Sequence, residues 1–193
     1  MRRLTLSILA VALLAAPAVA QAVPKHRPWA TINVCDTDRK RNVVGVRAGM
    51  PGNGTRQRMR MRFVLQWLAP AEEEGERRRW TRTGRPSKWV AAGSARFRQA
   101  QRGWSFGGIA DPPAGERFRL RGVVLLQWRA VRERKRSGRR RVVVVRRARW
   151  ITRGGLKGVV GGRPPGRSDA VCVVEGAAVS GAARRVSARP DQG

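Results

Sequence analysis

The side chains that most often perform catalysis or bind transition metals are few in this sequence. Its 193 residues include one His and two Cys, which excludes zinc sites built on His and Cys clusters. A serine-type triad would have no base except His26. His26 lies between Pro24 and Pro28, where we interpret it as a solvated residue of an N-terminal segment. Any chemistry of this chain is therefore expected to come from other residue types.

Acidic residues are also scarce, at 12 Asp and Glu in all, and they offer two candidate sites. Four glutamates lie in the segment 72–76, whereas a glycosidase needs two carboxyl groups that face each other across a sugar. We interpret this run as a solvated loop, balanced by the arginines at 77–79. Asp36, Asp38 and Asn42 offer oxygen ligands for calcium but lack the Gly turn and distal Glu of an EF-hand loop. We predict no catalytic residue, metal or cofactor.

The two cysteines, Cys35 and Cys172, stand near opposite ends of the strand-rich region. In an oxidising compartment, two thiols without further partners in the chain pair with each other or with another molecule. We predict a disulfide between them that closes nearly the whole domain. The alternative is a pair of buried free thiols.

The excess of arginine is the feature of this sequence that points to a binding partner. Lys and Arg number 42, and the formal net charge is +30. Outside a cell such a positive field attracts acidic wall polymers, anionic lipid surfaces or released DNA, with an affinity that falls as salt rises. We predict outward arginine rows on two strands and a basic hairpin tip. The candidate polyanion-binding residues are Arg58, Arg60, Arg62, Arg117, Arg119, Arg121, Arg129, Arg134, Lys135, Arg136, Arg139, Arg140 and Arg141.

The elements that must position these arginines are predicted to be β-strands, because apolar residues recur with a period of two. From Arg58 to Leu68, apolar and mostly polar positions alternate, and the segment 117–129 repeats the pattern with Gly122 as a bulge or close contact. With no helical period, the sequence predicts an all-β, antiparallel sandwich. Shorter strand-like runs are Trp29–Cys35, Val43–Ala48, Lys88–Ala91, Trp104–Ile109, Val142–Ile151 and Ala170–Glu175.

Tryptophan is the abundant aromatic residue, with seven copies and no Tyr. Trp67 and Trp128 close two copies of the triplet Leu-Gln-Trp, and we interpret both as core residues. The repeated triplet has two explanations, a duplicated half-domain or two core strands under the same alternation demand. The remaining candidates for an exposed, sugar-stacking surface are Trp80, Trp89, Trp104 and Trp150, with core packing as the alternative.

Two resemblances accompany these patterns. The segment Asp111–Ala130, in which Pro-Pro-Ala-Gly-Glu-Arg precedes Phe-Arg-Leu-Arg, resembles the strand-turn-strand corner of fibronectin type III and other immunoglobulin-like sandwiches, with Phe118 in place of the corner Tyr. The segments at 29–37, 45–52, 106–113 and 155–162 are similar to secreted proteins of GC-rich actinobacteria. These resemblances imply an immunoglobulin-like sandwich and a secreted bacterial source, and they carry no known activity.

The N-terminus has the pattern of an export signal, which defines the expected organisation. Arg2 and Arg3 precede an apolar stretch, Leu4–Ala16, and Ala18-Val19-Ala20 supplies small residues for cleavage. An uncleaved anchor is the alternative, although the stretch is shorter than the roughly 20 residues that span a bilayer. We expect a signal peptide at 1–20, a flexible segment at 21–28, one β-sandwich domain at 29–176 and a disordered tail at 177–193.

Together these patterns predict a secreted or envelope-located, non-catalytic binding module without a transmembrane span after cleavage. It would contact anionic polymers or an envelope component through its outward arginines, with no preference for a nucleic-acid sequence. One alternative is a structural or protein-interaction sandwich whose charge reflects GC-rich coding, since 37 of the basic residues are Arg and 5 are Lys. A further alternative is a carbohydrate-binding module.

Overall fold

The computed structural model describes residues 21–22, 27–70, 76–133 and 138–176. The predicted signal peptide, the tip residues Arg134, Lys135 and Arg136, and the tail at 177–193 lie outside these ranges. The described residues contain no helix, and thus none long and apolar enough to cross a membrane. The strands are β1 (Gln21–Ala22), β2 (Trp29–Thr37), β3 (Lys40–Pro51), β4 (Arg58–Leu68), β5 (Trp80–Thr83), β6 (Val90–Ser94), β7 (Gln99–Phe106), β8 (Arg117–Glu133), β9 (Arg140–Ile151), β10 (Leu156–Lys157) and β11 (Cys172–Glu175).

The domain has two main sheets. The larger one has six strands and is built around the antiparallel pair β4 and β8. On the edge away from β8, β4 pairs with β6 near its N-terminal end and with β5 near its C-terminal end. On the edge away from β4, β8 pairs with β11 near its N-terminal end and with β9 along the rest of its length. Both central strands therefore have hydrogen-bonded partners on each side.

The smaller sheet is antiparallel, in the order β2, β3, β7, and packs against the inner face of the larger one. On the outer side of this sheet, β2 is covered by the chain between β9 and β11. That segment bonds to β2 through Ile32 and Asp169, and it packs Leu156 and Val159 on Trp29. The short parallel pair of β1 and β10 lies in this region as well. The domain is thus an antiparallel β-sandwich in which its own chain covers β2 from outside.

The core lies between the sheets and follows from the alternation along the strands. In β4 the buried residues are Met59, Met61, Phe63 and Leu65, while their neighbours point outward. In β8 the residues facing the same core include Trp128, which is fully buried and donates its indole N–H to the Pro51 carbonyl at 3.3 Å. Because of this period of two, each central strand has one side buried in the core and one side facing outward, as predicted.

Gly122 marks the point where the two sheets approach most closely along β8. A Cβ placed there would lie 2.8 Å from the Val46 methyl groups of the opposite sheet and from Thr152 Cγ2. Gly122 keeps regular pairing with Leu65, so it is the close contact rather than the bulge of the two predicted alternatives.

The disulfide between Cys35 and Cys172 is present, and it joins β2 of one sheet to β11 of the other with a Cα–Cα distance of 5.4 Å. The two cysteines are 137 residues apart in sequence. Both are buried within the core, beside the inward residues of β8. The bond therefore links the two sheets at the part of the β8 edge where the neighbouring strand is β11 and not β9.

Removal of this bond is expected to lower the free energy of unfolding by about 4–5 kcal/mol, because closing so long a loop removes much entropy from the unfolded chain. The measurement compares guanidinium unfolding of the oxidised protein with that of the Cys35→Ala/Cys172→Ala variant. Equal unfolding midpoints for the two proteins would contradict a closing role for the disulfide.

Candidate anion-binding surface

The outer face of the six-stranded sheet displays the predicted arginine rows. Because β4 and β8 pair directly, their outward residues stand side by side, with Arg58 opposite Arg129 and Arg60 opposite Gln127. Pairing with β9 then extends the rows by Arg147 and Arg149. We call this group the arginine field, and its members are Arg58, Arg60, Arg62, Arg129, Arg147 and Arg149.

An apolar band ends the arginine field on one side. Val64, Val123 and Ile151 are aligned across β4, β8 and β9, and all are buried or half-buried. Beyond this band lie Arg117, Arg119 and Arg121 at the start of β8. The structure therefore divides the arginines that the sequence predicted as two rows into one joint field and a separate group.

The separate group is partly committed to contacts within the protein. The Arg121 guanidinium lies 4.2 Å from the centre of the Trp80 ring, and its Nε donates to Gln66 Oε1 at 3.0 Å. Burial, with a smaller contribution from the positive charge of Arg149, lowers the pKa of Arg121. Arg117 stands opposite Glu175 in the pairing of β8 with β11. Arg121 is therefore engaged within the protein, whereas Arg117 and Arg119 are exposed.

A short segment between β5 and β6 runs along the edge of β4 and positions Trp89. The buried Ser87 bonds to Phe63 in both directions, since its N–H donates to the Phe63 carbonyl and its Oγ accepts the Phe63 N–H, each at 2.8 Å. Arg62 Nε donates to the Ser87 carbonyl at 3.0 Å. Arg60 Nη2 donates to the Trp89 carbonyl at 2.9 Å. Two members of the arginine field thus hold this segment in place.

The first of two cavities in the field is lined by cations. It has a volume of about 620 Å³, and Arg56, Arg58, Arg60 and Arg129 line it together with residues of β6. The Arg129 Nε is buried and has no hydrogen-bond partner. No Asp or Glu of the described chain lines this cavity. Four arginines therefore line a space whose described lining contains no carboxylate.

The second cavity lies beside the first and combines an aromatic ring with cations. Its volume is about 510 Å³, and its lining includes Trp89, Leu125, Gln127, Arg147 and Arg149. Arg147 and Arg149 are exposed, while Leu125 and Trp89 are half-buried. This cavity offers an apolar surface bordered by positive charge.

The remaining predicted residues that the structure describes lie at the far end of the β8–β9 hairpin. Arg139, Arg140 and Arg141 are exposed there. Arg140 stands opposite Glu133, an opposite-charge pair, whereas Arg141 stands opposite Arg132. This end of the hairpin extends past the register of β4, so it continues the positive surface beyond the arginine field.

The four tryptophans proposed as a sugar-stacking surface occupy three different places. Trp80 and Trp89 are on the outer face of the larger sheet, as their register positions require. Trp104 lines an apolar cleft of about 510 Å³ between the sheets, and Trp150 packs against the core. They do not form one common platform.

The acidic candidates form no metal site within the described residues. Asp36 Oδ1 accepts the backbone N–H of Asn42 at 2.6 Å and so closes the turn from β2 to β3. No group of three His, Cys, Asp or Glu side chains in this part of the chain could hold a metal ion. The glutamates at 72–74 lie outside the described ranges, and Glu76 forms an ion pair with Arg79 at 3.1 Å.

Three arginines of this surface, Arg56, Arg147 and Arg149, were missing from the candidates chosen by sequence, and Trp89 was a candidate only for sugar stacking. Arg147 and Arg149 alternate with Ala148 and Trp150 in the same way as the arginines of β4, and that period could have identified them. Arg56 lies just before β4, and Trp89 lies beside the field because the hydrogen bonds of the segment at Ser87 hold it there. No sequence pattern indicated Arg56, and none placed Trp89 beside these arginines.

No protein-family model matches this chain, and no curated protein matches it. The proposal below therefore rests on the register, the hydrogen bonds and the two cavities.

Replacement of Ser87 by Ala tests how the segment is held. The Ser87→Ala variant leaves the buried Phe63 N–H without its acceptor, so we expect the free energy of unfolding to fall by about 1–3 kcal/mol. Chemical denaturation followed by Trp fluorescence measures the loss. The matched control is Ser105→Ala, at an exposed serine, with an expected change within about 0.5 kcal/mol. Equal effects of the two substitutions would contradict the assigned role of Ser87.

Proposed function

We propose that this protein is a non-catalytic module that binds anionic polymers through the arginine field. The observation that carries the proposal is the first cavity, which four arginines line and whose described lining contains no carboxylate. Guanidinium groups bind phosphate, sulfate and carboxylate through paired, charge-assisted hydrogen bonds. An anionic group of a polymer fits this cavity chemically.

The electrostatics of the field support the same proposal. Arg58 and Arg129 are directly opposite each other in an antiparallel pair, a position in which like charges destabilise a sheet. Arginines two residues apart on a strand add a repulsion of roughly 0.6 kcal/mol per pair in water. A bound polyanion removes this repulsion and releases its own counter-ions, so both partners gain from the complex.

The proposal also includes an extracellular or envelope location. The N-terminal sequence has the organisation of a signal peptide, and a disulfide persists in oxidising compartments. In that setting the available polyanions are acidic wall polymers, anionic surfaces and released nucleic acid. The module would bind them by charge, without reading a sequence of bases.

The salt dependence of binding to a DNA duplex tests this function. For the Arg58→Gln/Arg129→Gln variant we expect weaker binding and a plot of log affinity against log salt that is less steep by about 2, because each lost phosphate contact removes about one unit of slope. Fluorescence anisotropy at several salt concentrations measures both quantities. The matched control is Arg117→Gln/Arg119→Gln, which removes the same charge outside the field and should keep nearly the wild-type slope.

Two outcomes would contradict the proposal. Binding that does not change with salt would exclude a polyanion mechanism. Equal losses in the field variant and the control would mean that net charge alone attracts the polymer, as expected if GC-rich coding explains the arginines.

A further inference from the structure

We propose that the arginine field and Trp89 together bind single-stranded nucleic acid, with phosphates at the first cavity and a base stacked in the second. This inference rests on the proposed function and names the polymer that the surface fits best. Proteins that bind single strands without sequence preference combine a basic groove with aromatic side chains on which bases stack. The two adjoining cavities supply these two components.

Arg60 connects the cavities. It lines the first one, and its Nη2 holds the Trp89 carbonyl at 2.9 Å. Its cross-strand neighbour Gln127 lines the second cavity. A phosphate beside Arg60 and a ring beside Trp89 would therefore lie within the span of one nucleotide or two successive ones.

The second cavity has the chemistry that a nucleobase requires. Trp89 and Leu125 supply apolar surface for a flat ring, and the Gln127 amide offers both a donor and an acceptor to its polar edge. Arg147 and Arg149 are exposed at the border, where they can stack on a base or contact the next phosphate. A single amide that donates and accepts does not distinguish one base from another.

The requirement for an accessible base favours a single strand over a duplex. In a duplex the bases are paired and stacked inside, so the duplex presents phosphates to the first cavity but no free base face to Trp89. Outward arginines on β4 repeat about every 6.6–6.8 Å, so an extended chain with one charge per repeat unit can follow the strand. Anionic polysaccharides and lipid surfaces would use the arginines and leave Trp89 without a stacking partner.

The experiment uses the full chain and two probes of equal length and charge. One is a 12-nucleotide oligothymidylate, and the other is an abasic oligomer with the same sugar-phosphate backbone. We expect wild type to bind the oligothymidylate about 5- to 100-fold more tightly, which corresponds to one stacked base. Quenching of intrinsic Trp fluorescence by the oligothymidylate alone should accompany this preference.

Variants at Trp89 identify the stacking residue. Trp89→Ala should bind both probes equally, with an affinity close to that of wild type for the abasic probe. Trp89→Phe should restore much of the preference, since it keeps an aromatic ring. The control Trp104→Ala removes a ring in the cleft between the sheets, away from the field, and should keep the wild-type ratio.

The outcomes separate this inference from the proposed function. If wild type binds both probes equally and still binds the duplex in a salt-dependent manner, base stacking is wrong and polyanion binding stands. If heparin or anionic vesicles bind more tightly than the oligothymidylate at equal salt, the assigned polymer is wrong. If no polyanion binds, both proposals fail. Should Trp89→Ala not fold, the probe ratio and fluorescence quenching of wild type decide.

Discussion

The register between β4 and β8 is the constraint on which the structure depends. It runs without interruption from the Arg58–Arg129 pair to the Trp67–Leu120 pair. A slip by one residue would turn the arginines into the core and expose Phe63 and Trp128, and each buried side chain of this size contributes about 1.5–3 kcal/mol. The repulsion of Arg58 and Arg129 costs less than about 1 kcal/mol in water, so burial determines the register. The arginine field is a consequence of how the core is packed.

The rest of the fold decides which surfaces stay open. The smaller sheet covers the inner face of the larger sheet, and the segment between β9 and β11 covers β2 on the outside of the smaller one. The outer face of the larger sheet remains, with the arginine field on one side of the apolar band at Val64 and Arg117, Arg119 and Arg121 on the other. The segment at Ser87 borders the arginine field and adds Trp89. Cationic groups and an aromatic ring therefore share the face that the fold leaves accessible.

The sequence was sufficient for the two long central strands but not for β5 or for the arrangement of the strands. Period-two alternation predicted β4 with its observed bounds, and the cysteines predicted the disulfide. The positions of the arginine rows relative to each other depend on how the strands pair. The alternation within a single strand carries no information about that pairing. The sequence therefore did not show that Arg129 lies beside Arg58, with Arg117 and Arg119 apart from them. Short β5 (Trp80–Thr83) carries too few residues to show a period. The position of Trp89 depends on the hydrogen bonds of Ser87, which are tertiary contacts.

The most direct test of the account is to observe the arginine N–H groups themselves. Titration of the protein with oligothymidylate, followed by NMR of the arginine Nε–H resonances, would report which guanidinium groups bind the polymer. We predict the largest shifts at Arg58, Arg129 and Arg147. Shifts concentrated at Arg117 and Arg119, with an unchanged Arg129 resonance, would contradict the assignment of this surface.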